Sequence, residues 1–153
     1  MSTTVIRSLK ALVALAEVDL GEAALTLADR LDEQTRVRHE VEEGQAHLSQ
    51  IGEVFDRLSS PGAVVNSAAM SMLVQQSLAE HDALNLAQAR LTQSDQLVDE
   101  QRQLVHQQQH RHDGLKDFLK EARKAHAAHI DKHMAQEVED LFLARRILAK
   151  EHA

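Results

Sequence analysis

From Leu9 onward apolar residues return at alternating four- and three-residue steps. Leu9, Val13, Ala16, Leu20, Ala24, Leu27 and Leu31 follow one another, then Gln34, and the pattern resumes at Val41, Leu48, Ile51, Phe55 and Leu58. A mean step near 3.5 marks a helix with one narrow apolar seam, the kind that pairs with another helix in a left-handed coiled coil. The doubled four-residue step around Ala24 reads as a local stutter. Between Gln34 and Gln45 the seam is poor, with Arg38 and Gly44 close to it. Ser2, Thr3 and Thr4 supply N-cap oxygens ahead of the first periodic residues. The spacing predicts one helix over 5–58, about 80 Å long at ~1.5 Å per residue.

Ser59-Ser60-Pro61-Gly62 then stops the pattern, and Pro61 is the sole proline of the chain. The stretch 63–80 differs from its surroundings. No charge occurs from Gly62 to Ala79, and Val64, Val65, Met70, Met72, Leu73 and Val74 crowd together. Asn66 or Ser67 can cap a helix beginning there. This stretch is expected to form a short helical tip element, either separate from the following helix or continuous with it.

The second long helix, 82–150, has the cleaner register. Leu84, Ala87, Leu91, Ser94, Val98, Gln101, Val105, Gln108, His112, Leu115, Leu119, Ala122 and His126 alternate by three and four without a slip. Ile130, Met134, Val138, Leu141 and Leu148 carry an apolar stripe onward after a shift of register. With a turn at 59–62, the expected fold is all-α: a long antiparallel two-helix coiled-coil hairpin, with both chain ends at one end of a rod.

Composition narrows the picture. Aromatic residues make up 2% of 153, so the bulk that fills compact cores is missing and a narrow helix–helix seam is the better destination for the 43% hydrophobic residues. A net charge of −7 argues against a general nucleic-acid surface. No cysteine is present, which excludes thiol chemistry and suits a cytosolic protein. No apolar run is long enough to insert in a membrane, and the opening residues do not read as a secretory signal peptide. Charge distribution also favours antiparallel pairing. A hairpin bent at 59–62 is expected to bring acidic Asp29, Asp32, Glu33, Glu40, Glu42 and Glu43 beside Arg111, Lys116, Lys120, Arg123 and Lys124.

Little in the chain points to catalysis. Phosphate-cradling glycine loops, HExxH and CxxC patterns are absent, no cofactor is implied, and carboxylate pairs such as Glu42–Glu43 lie on exposed faces with no cleft to raise a pKa. Among ten histidines, His129 and His133 stand one helical turn apart, with Glu137 a turn further on and His126 nearby. These could ligate a metal, but they read more simply as a polar stripe on a solvated helix. His106, His110 and His112 have the same reading.

Two apolar surfaces remain as candidate binding sites. Residues of the 63–80 tip either fold down to close the hairpin or stay exposed as an adaptable, Met-containing docking patch. At the other end Arg7 and Lys10 are expected to converge with Arg145, Arg146 and Lys150 around Leu141, Phe142, Ile147 and Leu148. That cluster reads either as cations complementing a helix C-terminus or as a basic and apolar collar for an acidic partner.

The opening Ile6-Arg7-Ser8-Leu9-Lys10-Ala11-Leu12 and the closing segment from Gln136 to Arg146, an acidic turn followed by apolar residues and a basic pair, resemble the stalk proteins of type III secretion and flagellar export, the FliJ/YscO family. Length and helix plan resemble that family over the whole chain, although the acidic charge departs from its usual basic composition. The resemblance implies a non-enzymatic central stalk at the cytoplasmic face of the inner membrane. Its partners would be a hexameric secretion ATPase, an export-gate protein and secretion chaperones. By position along the rod, it would place Arg7, Lys10, Leu141, Phe142, Arg145 and Arg146 against the ATPase. Leu48, Ile51, Phe55, Val64, Met70 and Leu73 would face the gate or chaperones. The rival readings are a self-assembling coiled-coil scaffold and a histidine-based metal-binding protein.

Overall fold

The computed structural model describes residues 3–64 and 66–152. Ser2 among the expected capping residues and Val65 in the tip stretch lie outside them. The described chain forms two helices, α1 (Thr3–Leu58) and α2 (Ser67–Glu151), packed antiparallel as a helical hairpin. The seam residues that predict them are present in both, and the break falls where Ser59 to Gly62 place it. The Ser59 N–H donates to the Phe55 carbonyl at 2.9 Å, and the Ser60 hydroxyl donates to the Arg57 carbonyl at 2.9 Å, closing the end of α1. Gly62 takes φ of 86°, a conformation that a side chain disfavours, so glycine is what lets the chain reverse here. Asn66 caps α2: its side-chain oxygen accepts from the Ala69 N–H at 3.2 Å, and its carbonyl accepts from the Met70 N–H at 3.0 Å.

Of the two forms open to the 63–80 stretch, the continuous one is observed. From Ser67 it is the first part of α2, with no second break before Glu151. The consequence is a mismatch in length, 56 residues in α1 against 85 in α2.

Contacts divide the chain into two units, Met1–Gly21 with His106–Ala153, and Glu22–Val105. In the first, Ile6, Leu9 and Val13 of α1 bury against Leu119 and Ala122 of α2, with Leu115 packed on the cluster. Beside them the His112 imidazole meets the Glu17 carboxylate at 3.3 Å, and Arg111 meets Asp19 at 3.7 Å. Gln108 leaves its side-chain oxygen buried with no hydrogen-bond partner among the described residues.

In the second unit, Val41 buries against Leu84 and Ala87, flanked by Leu48 and Leu91. Val37 and Val98, at 2% and 1% exposure, are the largest fully buried side chains. Several polar residues at the seam are satisfied across the helix pair. Gln101 donates to the Ala23 carbonyl at 2.9 Å, Arg30 to the Leu97 carbonyl at 2.9 Å, Gln34 to Asp95 at 2.6 Å, and Arg90 pairs with Glu40. Gly44 sits where a β-carbon would stand 3.2 Å from Leu84 Cδ1, so its missing side chain makes room for that leucine.

These pairs correct three sequence expectations. First, α1 has no stutter. Ala23, not Ala24, is buried, and the half-buried Arg30 and buried Val37 complete an uninterrupted three–four alternation from Ile6 through Ile51. Adjacent alanines gave the pattern two equivalent choices, and flanking Arg36 and Arg38 masked Val37. Second, the acidic stretch 29–43 lies against α2 between Leu84 and Leu97, not beside the 111–124 cations, which face residues 6–19. Partners in a hairpin must lie about equally far along the chain from the turn, and 29–43 and 111–124 do not. Third, the ends of the two helices do not coincide. α1 begins beside Leu119 and Ala122, whereas α2 runs on to Glu151, and every described residue from 127 onward is exposed.

Candidate interaction surfaces

Within the first unit, the last part of α2 is a single helix with no covering neighbour among the described residues. The seam that α1 covers reaches Ala122 and half-buried His126; continuing its three–four alternation leads to His129, His133, Gln136 and Asp140, all polar. The apolar residues shift to another face instead: Ile130, Met134, Val138, Leu141 and Leu148 follow at helical spacing, with Arg145 among them and Phe142 at the edge. Leu141 and Phe142 are 70% and 67% exposed. A stripe of this kind in water has no stabilising role within the chain, and its natural use is contact with another helix.

The expected convergence with Arg7 and Lys10 does not occur. Both are exposed on α1 beside the Leu119–Ala122 cluster. Leu141 and Arg145 lie about 30 Å further along α2, at ~1.5 Å per residue. The longer helix carries Leu141, Phe142, Arg145 and Arg146 together and leaves the α1 cations behind.

In the second unit the seam loosens toward the turn. Leu48, Ile51 and Leu73 are half-buried and Phe55 is exposed. The cause is the opposite helix, whose seam positions here are Ser77 and Glu80, too small or too polar to cover them. Open grooves of about 410 and 390 Å³ flank the Ile51 and Leu73 side chains. Phe55, Val74 and Leu78 line the first groove with His81 at its edge; Val54 and Glu80 line the second, where Glu80 lies 3.8 Å from His47. Of the tip residues, Met70 is half-buried, while Val64 and Met72 stand 90% and 70% exposed. Leu48, Ile51, Phe55 and Leu73 therefore form one apolar surface, with Val64 separate on the connection.

His106, His110, His129 and His133 are solvated, whereas His112, expected with them, is buried in the seam because it falls on the face that α1 covers. His133 Nδ1 lies 3.3 Å from the Glu137 carboxylate as an i,i+4 pair, and His106 and His110 stack with ring centroids 6.4 Å apart. Among the described residues no group of three His, Cys, Asp or Glu side chains is arranged to hold a metal ion. Nor, among them, is any helix long and apolar enough to cross a membrane. Comparison with protein-family models, with curated proteins and with solved structures found no match.

Sequence reasoning named Leu141, Phe142, Arg145 and Arg146, which share the uncovered end of α2, but missed why that end is uncovered. The signal was available in the helix lengths: a 56-residue helix cannot cover an 85-residue one.

Proposed function

We propose that this chain is a non-enzymatic stalk of a type III secretion or flagellar export apparatus, at the cytoplasmic face of the inner membrane. It engages a hexameric secretion ATPase through the uncovered end of α2. The observation that carries this reading is that end itself: a single helix, exposed over its whole length, with Leu141 and Phe142 beside Arg145 and Arg146. A lone helix of this width can enter a ring's central opening, and the apolar–basic mixture suits an acidic, partly apolar lining. The resemblance of residues 6–12 and 136–146 to the FliJ/YscO stalks points the same way. The loosened seam at Leu48, Ile51, Phe55 and Leu73, with Met70 and Val64 toward the turn, suits an apolar helix of an export-gate protein or chaperone.

The test is co-purification with the secretion ATPase of the same organism, comparing wild type with Arg145→Glu/Arg146→Glu. Both arginines are exposed, so the hairpin is unaffected by the change. Capture at less than one chain per ATPase subunit, lost in the double variant, supports the stalk. If neither protein is captured while the chain forms stable homo-oligomers, the self-assembling scaffold replaces it.

A further inference from the structure

The uncovered stripe of α2 carries a second feature, the order of its charges. Asp131, Glu137, Glu139 and Asp140 precede Leu141, with Lys132 the one cation among them; Arg145, Arg146 and Lys150 follow it, and Glu151 ends the helix. The half before Leu141 is net acidic and the half after it net basic, so the segment reversed on a copy of itself brings halves of opposite net charge together, while Asp131 and Lys132 stand level with Glu151 and Lys150. Laid parallel to a copy of itself, it would oppose like charges instead.

The register shift separates this stripe from the seam that α1 covers. A helix extending α1 over residues 127–152 would meet His129, His133, Gln136 and Asp140, while Ile130, Met134, Val138, Leu141 and Leu148 face elsewhere. The stripe thus suits a helix approaching from a different side than α1.

We propose that residues 127–152 pair antiparallel with the same segment of a second copy of this chain, with Leu141 near the two-fold axis. In that arrangement Leu141 meets its own counterpart, Met134 of one copy meets Leu148 of the other, and Glu137 stands within reach of Arg145 across the interface. The Met134–Leu148 and Glu137–Arg145 contacts each occur twice and the Leu141 contact once on the axis, as a two-fold interface requires. The segment offers a strip about 40 Å long and about 10 Å wide on each copy, roughly 800 Å² in total. That lies below the size of stable specific interfaces, so the dimer separates on dilution.

The absence of cysteine makes the test direct. Leu141, Met134 and Leu148 are exposed, so cysteine at any of them leaves the hairpin intact. Under mild oxidation, Leu141→Cys is expected to form covalent dimers alone. Met134→Cys and Leu148→Cys, each alone, are expected to remain monomeric, because a disulfide needs Cα atoms within about 7 Å and each residue is about 20 Å from its own copy. A mixture of these two variants is expected to cross-link. Sedimentation of the cysteine-free chain supplies the second readout. Glu137→Arg is expected to raise the dissociation constant about tenfold through the two symmetry-related Glu137–Arg145 pairs, and adding Arg145→Glu is expected to restore it. Cross-linking by all three single variants would mean parallel pairing and overturn the proposal. So would a monomer at every concentration with no cross-link, or a dimer indifferent to the charge changes. These experiments use the chain alone, so their outcome is independent of whether it binds a secretion ATPase.

Discussion

Three valines of identical chemistry occupy different environments. Val37 and Val98 are 2% and 1% exposed in the seam of the second unit, and Val138 is 66% exposed on the uncovered part of α2. Shortening Val98 to alanine removes two methyl groups, worth about 1.6 kcal/mol of burial at ~0.8 kcal/mol each. The void left behind adds about 1 kcal/mol at ~24 cal/mol per Å³. Alanine's better helix propensity returns about 0.5 kcal/mol. The net expectation for Val98→Ala is a loss of about 2 kcal/mol, with Val37→Ala close to it. Val138→Ala removes nothing buried and keeps only the propensity gain, so it is expected to be neutral or to stabilise by about 0.5 kcal/mol. Urea denaturation followed by helical circular dichroism, at low protein concentration so that no intermolecular contact contributes, measures all three. If Val138→Ala proves as costly as Val98→Ala, residues beyond 126 are packed within the chain and the described hairpin register is wrong. A neutral Val98→Ala would refute the seam itself.

Further outcomes follow from single positions. Gln108→Leu removes a side-chain oxygen that is buried without a partner and is expected to stabilise by about 1 kcal/mol in the same assay. Gly62→Ala forces a β-carbon into positive φ and is expected to cost about 1 kcal/mol, with Gly62→Asn costing less because asparagine tolerates that region. Ser77→Leu places an apolar side chain in the groove lined by Ile51, Phe55 and Leu73. It is expected to stabilise by about 1 kcal/mol while weakening capture of any gate or chaperone helix that uses the groove, measured by pull-down.

The seam of α2 was legible residue by residue. All thirteen positions from Leu84 to His126 are buried or half-buried, polar ones included, because a run of alternating three- and four-residue steps fixes one helix face whatever occupies it. α1 was less legible where composition is ambiguous. Ala23 and Ala24 are interchangeable to a hydropathy pattern, and it is the burial of Ala23, whose carbonyl also receives the Gln101 amide, that shows which one faces α2. Register needed the turn as its origin. The expected helices, 5–58 and 82–150, already differed in length, and leaving open whether 63–80 continues the second one hid how far that helix outruns the first, which brought Arg7 and Lys10 falsely alongside Arg145 and Arg146. Once Asn66 caps α2 and the helix runs unbroken from Ser67, the unpaired end becomes arithmetic. What occupies that end was not legible, since its stripe is complementary to surfaces outside the chain.

If the uncovered end of α2 acts on a secretion ATPase as proposed, the effect is read in the enzyme's own turnover. The measurement is the rate of ATP hydrolysis by that ATPase as the full chain is added, wild type against Leu141→Ser/Phe142→Ser. Both residues are exposed, so helicity and stability should not change. Wild type is expected to stimulate hydrolysis with saturation below one chain per subunit, and the double variant is expected not to. Hydrolysis unaffected by either protein, or stimulated equally by both, would contradict the proposal.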